Sequence, residues 1–200
     1  MEPDQLKQLN IEGCEFIGRV THASVYRIAP DEIVKVYRED IFKWADNSES
    51  LIGKAAADKI RQLIREVPDS KKLLHGDFHL KNIIICKGRP MLIDMDTLCF
   101  GDPVFDLATI ANSYLTFPKI APEAATVHLG ISVEDAGYIW KRTLSPYYED
   151  SSHEELSQIE HKAISLGLLR IIDFAQRNGS PEQRGLMIKK GLELLDEALN

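Results

Sequence analysis

Apolar and polar positions change period several times along the chain, and each change marks an element. Between residues 14 and 37 short β-branched runs stand out: Phe16-Ile17, Ser24-Val25-Tyr26-Arg27-Ile28 and Ile33-Val34-Lys35-Val36-Tyr37, the last two joined by Ala29-Pro30-Asp31. Such runs separated by turn residues predict a small three-stranded antiparallel meander. From Ser50 to Glu66 the period becomes helical, carried by Leu51, Ile52, Ala55, Ala56, Ile60, Leu63 and Ile64, and Val67-Pro68-Asp69 is the expected stop. Residues 83–86 and 91–93, joined by Lys87-Gly88-Arg89-Pro90, predict a short β-hairpin.

The second half reads as helical. Phe105, Ala108, Ala111 and Leu115 share one face of a helix expected to be buried and to end at Pro118; residues 118–131 are expected to be loop with at most a short helix. Ser132 with Asp135 caps a helix to about Tyr147, and Ser152 with Glu155 caps a long amphipathic one to about Arg177. Ser180, Pro181 and Gln183 give the last helix its cap, first-turn proline and reciprocal partner. A strand-rich start followed by a mainly helical body is an α+β pattern. Tyr138, Trp140, Tyr147, Tyr148 and Phe174 read as core at this spacing, or as the lining of a pocket. Glu149, Asp150, Glu154 and Glu155 read as a solvated helix start, or as a lure for a cationic ligand.

At 200 residues, 44% hydrophobic and 28% charged, the chain can bury one sizeable core or two small lobes, which excludes a disordered class. A net charge of -7 argues against nucleic acid or an anionic membrane as partner and suits a cationic or neutral polyhydroxylated ligand. Cys14, Cys86 and Cys99 lack metal-like spacing, and Cys86, inside an apolar strand, reads as a buried thiol. The start, Met1-Glu2-Pro3-Asp4-Gln5, has no apolar core, and no stretch approaches the roughly 18 apolar residues of a membrane span. The expected location is a reduced cytoplasm.

The chemistry is concentrated in His75-Gly76-Asp77-Phe78-His79-Leu80-Lys81-Asn82 and in Leu92-Ile93-Asp94-Met95-Asp96. One carboxylate, an amide five residues later and a second carboxylate at the end of the next apolar strand suit phosphoryl transfer, which asks the protein mainly to place a hydroxyl, a metal and counter-charges. In this pattern Asp77 accepts or orients the hydroxyl proton, while Asn82 and Asp94 supply oxygen ligands to magnesium on a nucleotide. His75 and His79, four apart, would suit a zinc pair on a helix, but no third ligand stands at a metal-site spacing.

At these residues the chain resembles the aminoglycoside phosphotransferase and choline kinase family, a branch of the protein-kinase-like fold. Gly101-Asp102-Pro103-Val104-Phe105-Asp106-Leu107-Ala108 is similar to the segment that follows the family's metal-binding Asp. Glu32-Ile33-Val34-Lys35-Val36-Tyr37 looks like its lysine strand, and residues 18–26 like its nucleotide-covering loop. The resemblance runs from about residue 18 to 115 and implies ATP and magnesium, with an aminoglycoside-, sugar- or amino-alcohol-like hydroxyl acceptor. It makes Lys35 a phosphate contact, Gly18 part of the nucleotide loop, His75 a brace of the catalytic loop and Asp106 its hydrogen-bonding support. It also implies a truncated β N-lobe over residues 1–45 and a helical C-lobe over residues 46–200.

The pattern departs from the family in two places. Only 42 positions, 77 less 35, separate Lys35 from Asp77, so an adenine-gripping hinge and much of the first lobe are expected to be missing; Glu39 and Glu49 are the candidate partners of Lys35. Gly18-Arg19-Val20-Thr21-His22-Ala23 keeps one glycine, and β-carbons at Val20 and Ala23 hinder close approach of backbone to phosphate. A sheet this small, lacking its covering helix, is expected to pack on the helical lobe, pair with a second chain as a homodimer, or fray. Three readings therefore stand together: an active small-molecule kinase, a catalytically silent relative with a binding or regulatory role, and a marginally stable product of internal deletion.

Overall fold

The computed structural model describes residues 14–19, 23–30, 32–37, 41–68, 70, 72–123, 125–147 and 151–200. Strands β1 (Glu15–Arg19), β2 (Ala23–Ala29) and β3 (Glu32–Tyr37) form the antiparallel meander that the early runs predict. A register shift between Phe16 and Gly18 sets Gly18 opposite Val25, which in turn stands opposite Lys35. Residues 1–13, 20–22 and 38–40, and with them Val20 and Glu39, lie outside the described residues.

Where one helix is expected, there are two. Helices α1 (Ile41–Ile52) and α2 (Lys54–Arg65) are divided at Gly53, whose φ of 80° and ψ of 154° belong to a region open essentially to glycine. The helical spacing ran across this break because a single glycine does not disturb an apolar pattern. Arg61 of α2 then clamps the pair, reaching Asp46 at 2.7 Å and Glu49 at 2.5 Å on α1.

Strand β4 (Lys72–Leu74) enters the loop around Asp77. Beyond it, β5 (Ile83–Cys86) and β6 (Arg89–Leu92) form the expected hairpin, with β6 starting at Arg89 rather than Met91. Lys87 at φ 51° and Gly88 at φ 76° make the two-residue turn, in the left-handed conformations that match strand twist. This hairpin stands in solvent: Ile85 is 71% exposed, and Cys86, expected to be buried, is exposed with it. Strand β7 (Cys99–Gly101) returns to pair with β4.

Helix α3 (Val104–Ala111) is buried around almost its whole circumference. Pro118 does not end it. The backbone widens into a π-helical segment, Asn112–Thr116, and continues as α4 (Phe117–Ile120), with Pro118 in its first turn. A second π-helical segment, Ala125–Leu129, lies where loop was expected.

Helices α5 (Val133–Tyr147), α6 (His153–Arg177) and α7 (Pro181–Leu199) start at the three predicted caps. Ser152 with Glu155 and Ser180 with Gln183 form complete capping boxes, and Ser132 Oγ accepts from the Asp135 N–H at 3.0 Å. Glu155 is thus a capping residue; Glu149 and Asp150 lie outside the described residues. Helix α6 is the axis of the core: it buries Leu166, Leu168, Leu169 and Ile172, and α1, α3 and α7 pack along it. Gly167 permits this contact: a β-carbon there would come within 2.5 Å of Asn112 Oδ1 and 2.7 Å of the Ala108 carbonyl. The expected boundary at residue 45 falls within α1, which packs on α6. No described helix is long and apolar enough to cross a membrane.

Candidate active site

The loop after β4 is held from beneath by one carboxylate. Asp106, 6% exposed in the first turn of α3, accepts the backbone N–H of His75 at 2.9 Å and of Gly76 at 2.6 Å. Two such donors compensate the desolvation of a buried anion. Gly76 adopts φ 77° beside Thr97, which donates its hydroxyl to the His75 carbonyl at 2.6 Å. His75 is itself buried: Nδ1 accepts from the Asp77 N–H at 3.3 Å, so Nε2 carries the proton and donates to the Ile93 carbonyl at 3.0 Å. The imidazole therefore joins the loop to the strand end that carries Asp94.

Asn82 makes a second connection between the same segments. Its Nδ2 donates to the Asp77 carbonyl at 2.9 Å, and its own carbonyl accepts from the Ile93 N–H at 2.9 Å. The amide is thereby fixed, while Oδ1 accepts no bond from a described residue. Asp94 follows directly in a left-handed conformation, φ 59°, which Asp tolerates better than most side chains. Fixed amide oxygen and exposed carboxylate are hard donors of the kind magnesium takes, and in this respect the residues fit that ion. The Leu80 N–H is held by the hydroxyl of Tyr114 at 2.8 Å, and burial pushes that phenol above its ordinary pKa.

Asp77 lines a cavity of about 450 Å³. Its side chain is 43% exposed, with Oδ2 3.5 Å from His79 Nε2. The His79 ring meets His128 edge-on at 5.7 Å, and Lys81 Nζ approaches His128 Nδ1 at 3.4 Å. Burial, with the Lys81 ammonium second, lowers the His128 pKa from its usual value, so the ring is neutral at physiological pH. Arg170 of α6 lines the same cavity, donates from Nη1 to the Gly76 carbonyl at 3.0 Å and lies over the Trp44 ring at 5.8 Å. Asn112 and Ser113 enter from the π-helical turn, a deviation often found at functional sites, and Phe117 from the start of α4.

Of the aromatics weighed from the sequence, Phe174 lines the cavity, Trp140 is core, Tyr138 is exposed, and the side chains of Tyr147 and Tyr148 lie outside the described ones. Tyr114, His128 and Arg170 carried no sequence signal. Nothing local marks one arginine in a long helix as reaching a loop 94 positions earlier.

On the meander, Gly18 and Lys35 occupy the same cross-strand row, separated by β2. Two strand spacings put their backbones about 9–10 Å apart. The Lys35 side chain lies outside the described ones. Glu49, weighed as its partner, is engaged by Arg61.

The family model described as the phosphotransferase enzyme family (APH) matches residues 21–138, more than half of the chain, in agreement with the resemblance read from the motifs. No curated protein matches the chain significantly.

Proposed function

Because the chain belongs to the phosphotransferase enzyme family, we propose that it moves the terminal phosphoryl group of ATP to a hydroxyl of a small molecule. Asp77 takes the proton of the acceptor hydroxyl as its oxygen attacks the terminal phosphorus; the new O–P bond forms while the bond to the ADP oxygen breaks. Asn82 and Asp94 would hold magnesium, whose charge would offset that of the phosphates. Lys35 and the Gly18 row meet the nucleotide, and His75 and Asp106 keep the loop in register. The fold is, on this reading, a shortened protein-kinase-like one, working in the cytoplasm, with the sheet edge available to a second copy.

The observation that carries this reading is the placement of Asp77 at the wall of a cavity, on a loop tied through Asn82 and His75 to the strand end bearing Asp94. The test is a phosphorylation assay of the purified chain across sugars, amino alcohols, hydroxy acids and aminoglycosides, with Asp77→Ala alongside. Loss of the base should slow transfer by about 10² to 10⁴. Equal turnover in both proteins would remove Asp77 from its role.

A second reading has its own support. Among the described residues no strand intervenes between β3 and β4, and the apolar side chains of Ile84, Ile85, Met91 and Phe100 are exposed. A shortened relative that binds without catalysing would look like this. Calorimetry with ATP and magnesium separates the two: no heat at millimolar ligand favours the silent domain.

A further inference from the structure

The cavity beside Asp77 has an uneven charge. Asp77 is the one carboxylate among its lining residues, and the reaction proposed above already engages it. Arg170 is a permanent cation in the same wall, and no described carboxylate pairs with it. Of its five N–H donors one is spent on the Gly76 carbonyl, which fixes the guanidinium in place and leaves the others for a ligand. Lys81 adds a second cation at the rim through its contact with His128, again without a described carboxylate partner. The remaining polar lining is the uncharged Thr109, Asn112 and Ser113 and the imidazoles of His79 and His128, the last with its pKa lowered by burial.

A polycation entering this cavity would meet the fixed guanidinium of Arg170, the Lys81 ammonium beside His128 and a single carboxylate. An acceptor carrying one carboxylate meets the opposite situation, because a preorganised guanidinium is the side chain best matched to that group. We propose that the acceptor is a small hydroxy acid or sugar acid, its carboxylate held by Arg170, its approach favoured by Lys81 and its hydroxyl delivered to Asp77. This rests on the phosphotransferase reading and narrows it away from aminoglycosides. The transfer is the one already written: the acceptor oxygen bonds to phosphorus, ADP leaves, and the hydroxyl proton passes to Asp77.

Binding without nucleotide tests this apart from catalysis. The full chain is titrated in a calorimeter with glycerate, gluconate and galacturonate, with their uncharged counterparts glycerol, glucose and galactose, and with kanamycin. At least one acid should bind ten-fold or more tighter than its uncharged counterpart, and kanamycin should bind more weakly than that acid. Arg170→Gln should abolish the margin and Arg170→Lys keep part of it. Since Arg170 also braces the loop, Lys81→Gln serves as the second variant; it should reduce acid affinity a few-fold and flatten its salt dependence. The proposal is overturned if kanamycin binds more tightly than every acid, if acids and uncharged counterparts bind alike, or if no acid gives heat at millimolar concentration. Acid binding without phosphoryl transfer would count against the phosphotransferase reading alone.

Discussion

The carboxylate of Asp106 and the backbone N–H of Gly76 meet at 2.6 Å across 30 positions of sequence, and this bond sets the floor of the candidate site. With the His75 N–H on its other oxygen, the side chain acts as an acceptor twice over. Asp106→Asn keeps the shape but must turn an NH₂ toward one of two donors. The expected loss is about 1–3 kcal/mol in denaturant unfolding, with a fall in turnover larger than the change in acceptor affinity. An unchanged midpoint would show that the loop is held by other contacts.

Gly76 itself leaves no room for substitution. It sits at φ 77°, and a β-carbon would lie 2.6 Å from the Thr97 carbonyl oxygen and 2.9 Å from the Thr97 β-carbon. Gly76→Ala should lose about 1–3 kcal/mol from the backbone conformation alone. Its unfolding midpoint, measured beside Gly88→Ala, isolates the packing part. Gly88 has φ 76° with nothing within 4 Å of its β-carbon position, so it should be the milder change.

Helix packing gives a paired prediction. Gly167→Ala drives a methyl into Asn112 and the Ala108 carbonyl, both on the buried face of the neighbouring helix, and should cost about 1–3 kcal/mol. Gly137→Ala, in α5 with open space around it, should stabilise by about 0.5–1 kcal/mol. Thermal melts of the two should therefore shift in opposite directions.

Glu155 links the start of α6 to pH. Its carboxylate accepts the Ser152 N–H at 2.7 Å, and that bond, with a further contribution from the Ser152 side chain, lowers its pKa from the usual 4.5. A depressed folded value means that the stabilisation is complete above the unfolded pKa and is lost as pH falls through the folded one. Glu155→Gln should keep the cap and remove this acid-limb dependence. An NMR titration placing the Glu155 carboxyl at or above an unperturbed glutamate would contradict it.

What the sequence determined by itself was local. The three caps at Ser132, Ser152 and Ser180 were legible because a cap needs only a side-chain oxygen and an N–H three residues on. The meander and the hairpin were legible because pairing between sequence neighbours follows from runs and turns. The spacing of Asp77, Asn82 and Asp94 could be read for the same reason, since one loop and one hairpin connect all three. Tertiary structure decided the rest. The break at Gly53 and the π-helical turn before Pro118 leave an apolar period intact, so the pattern cannot report them. Whether Cys86 was buried depended on what covers the hairpin, not on the hairpin itself. Arg170 became a wall of the cavity only because Gly167 lets α6 lie against α3, bringing the guanidinium to Gly76. Contacts of that range arise from how faces dock, and no short window of residues encodes them.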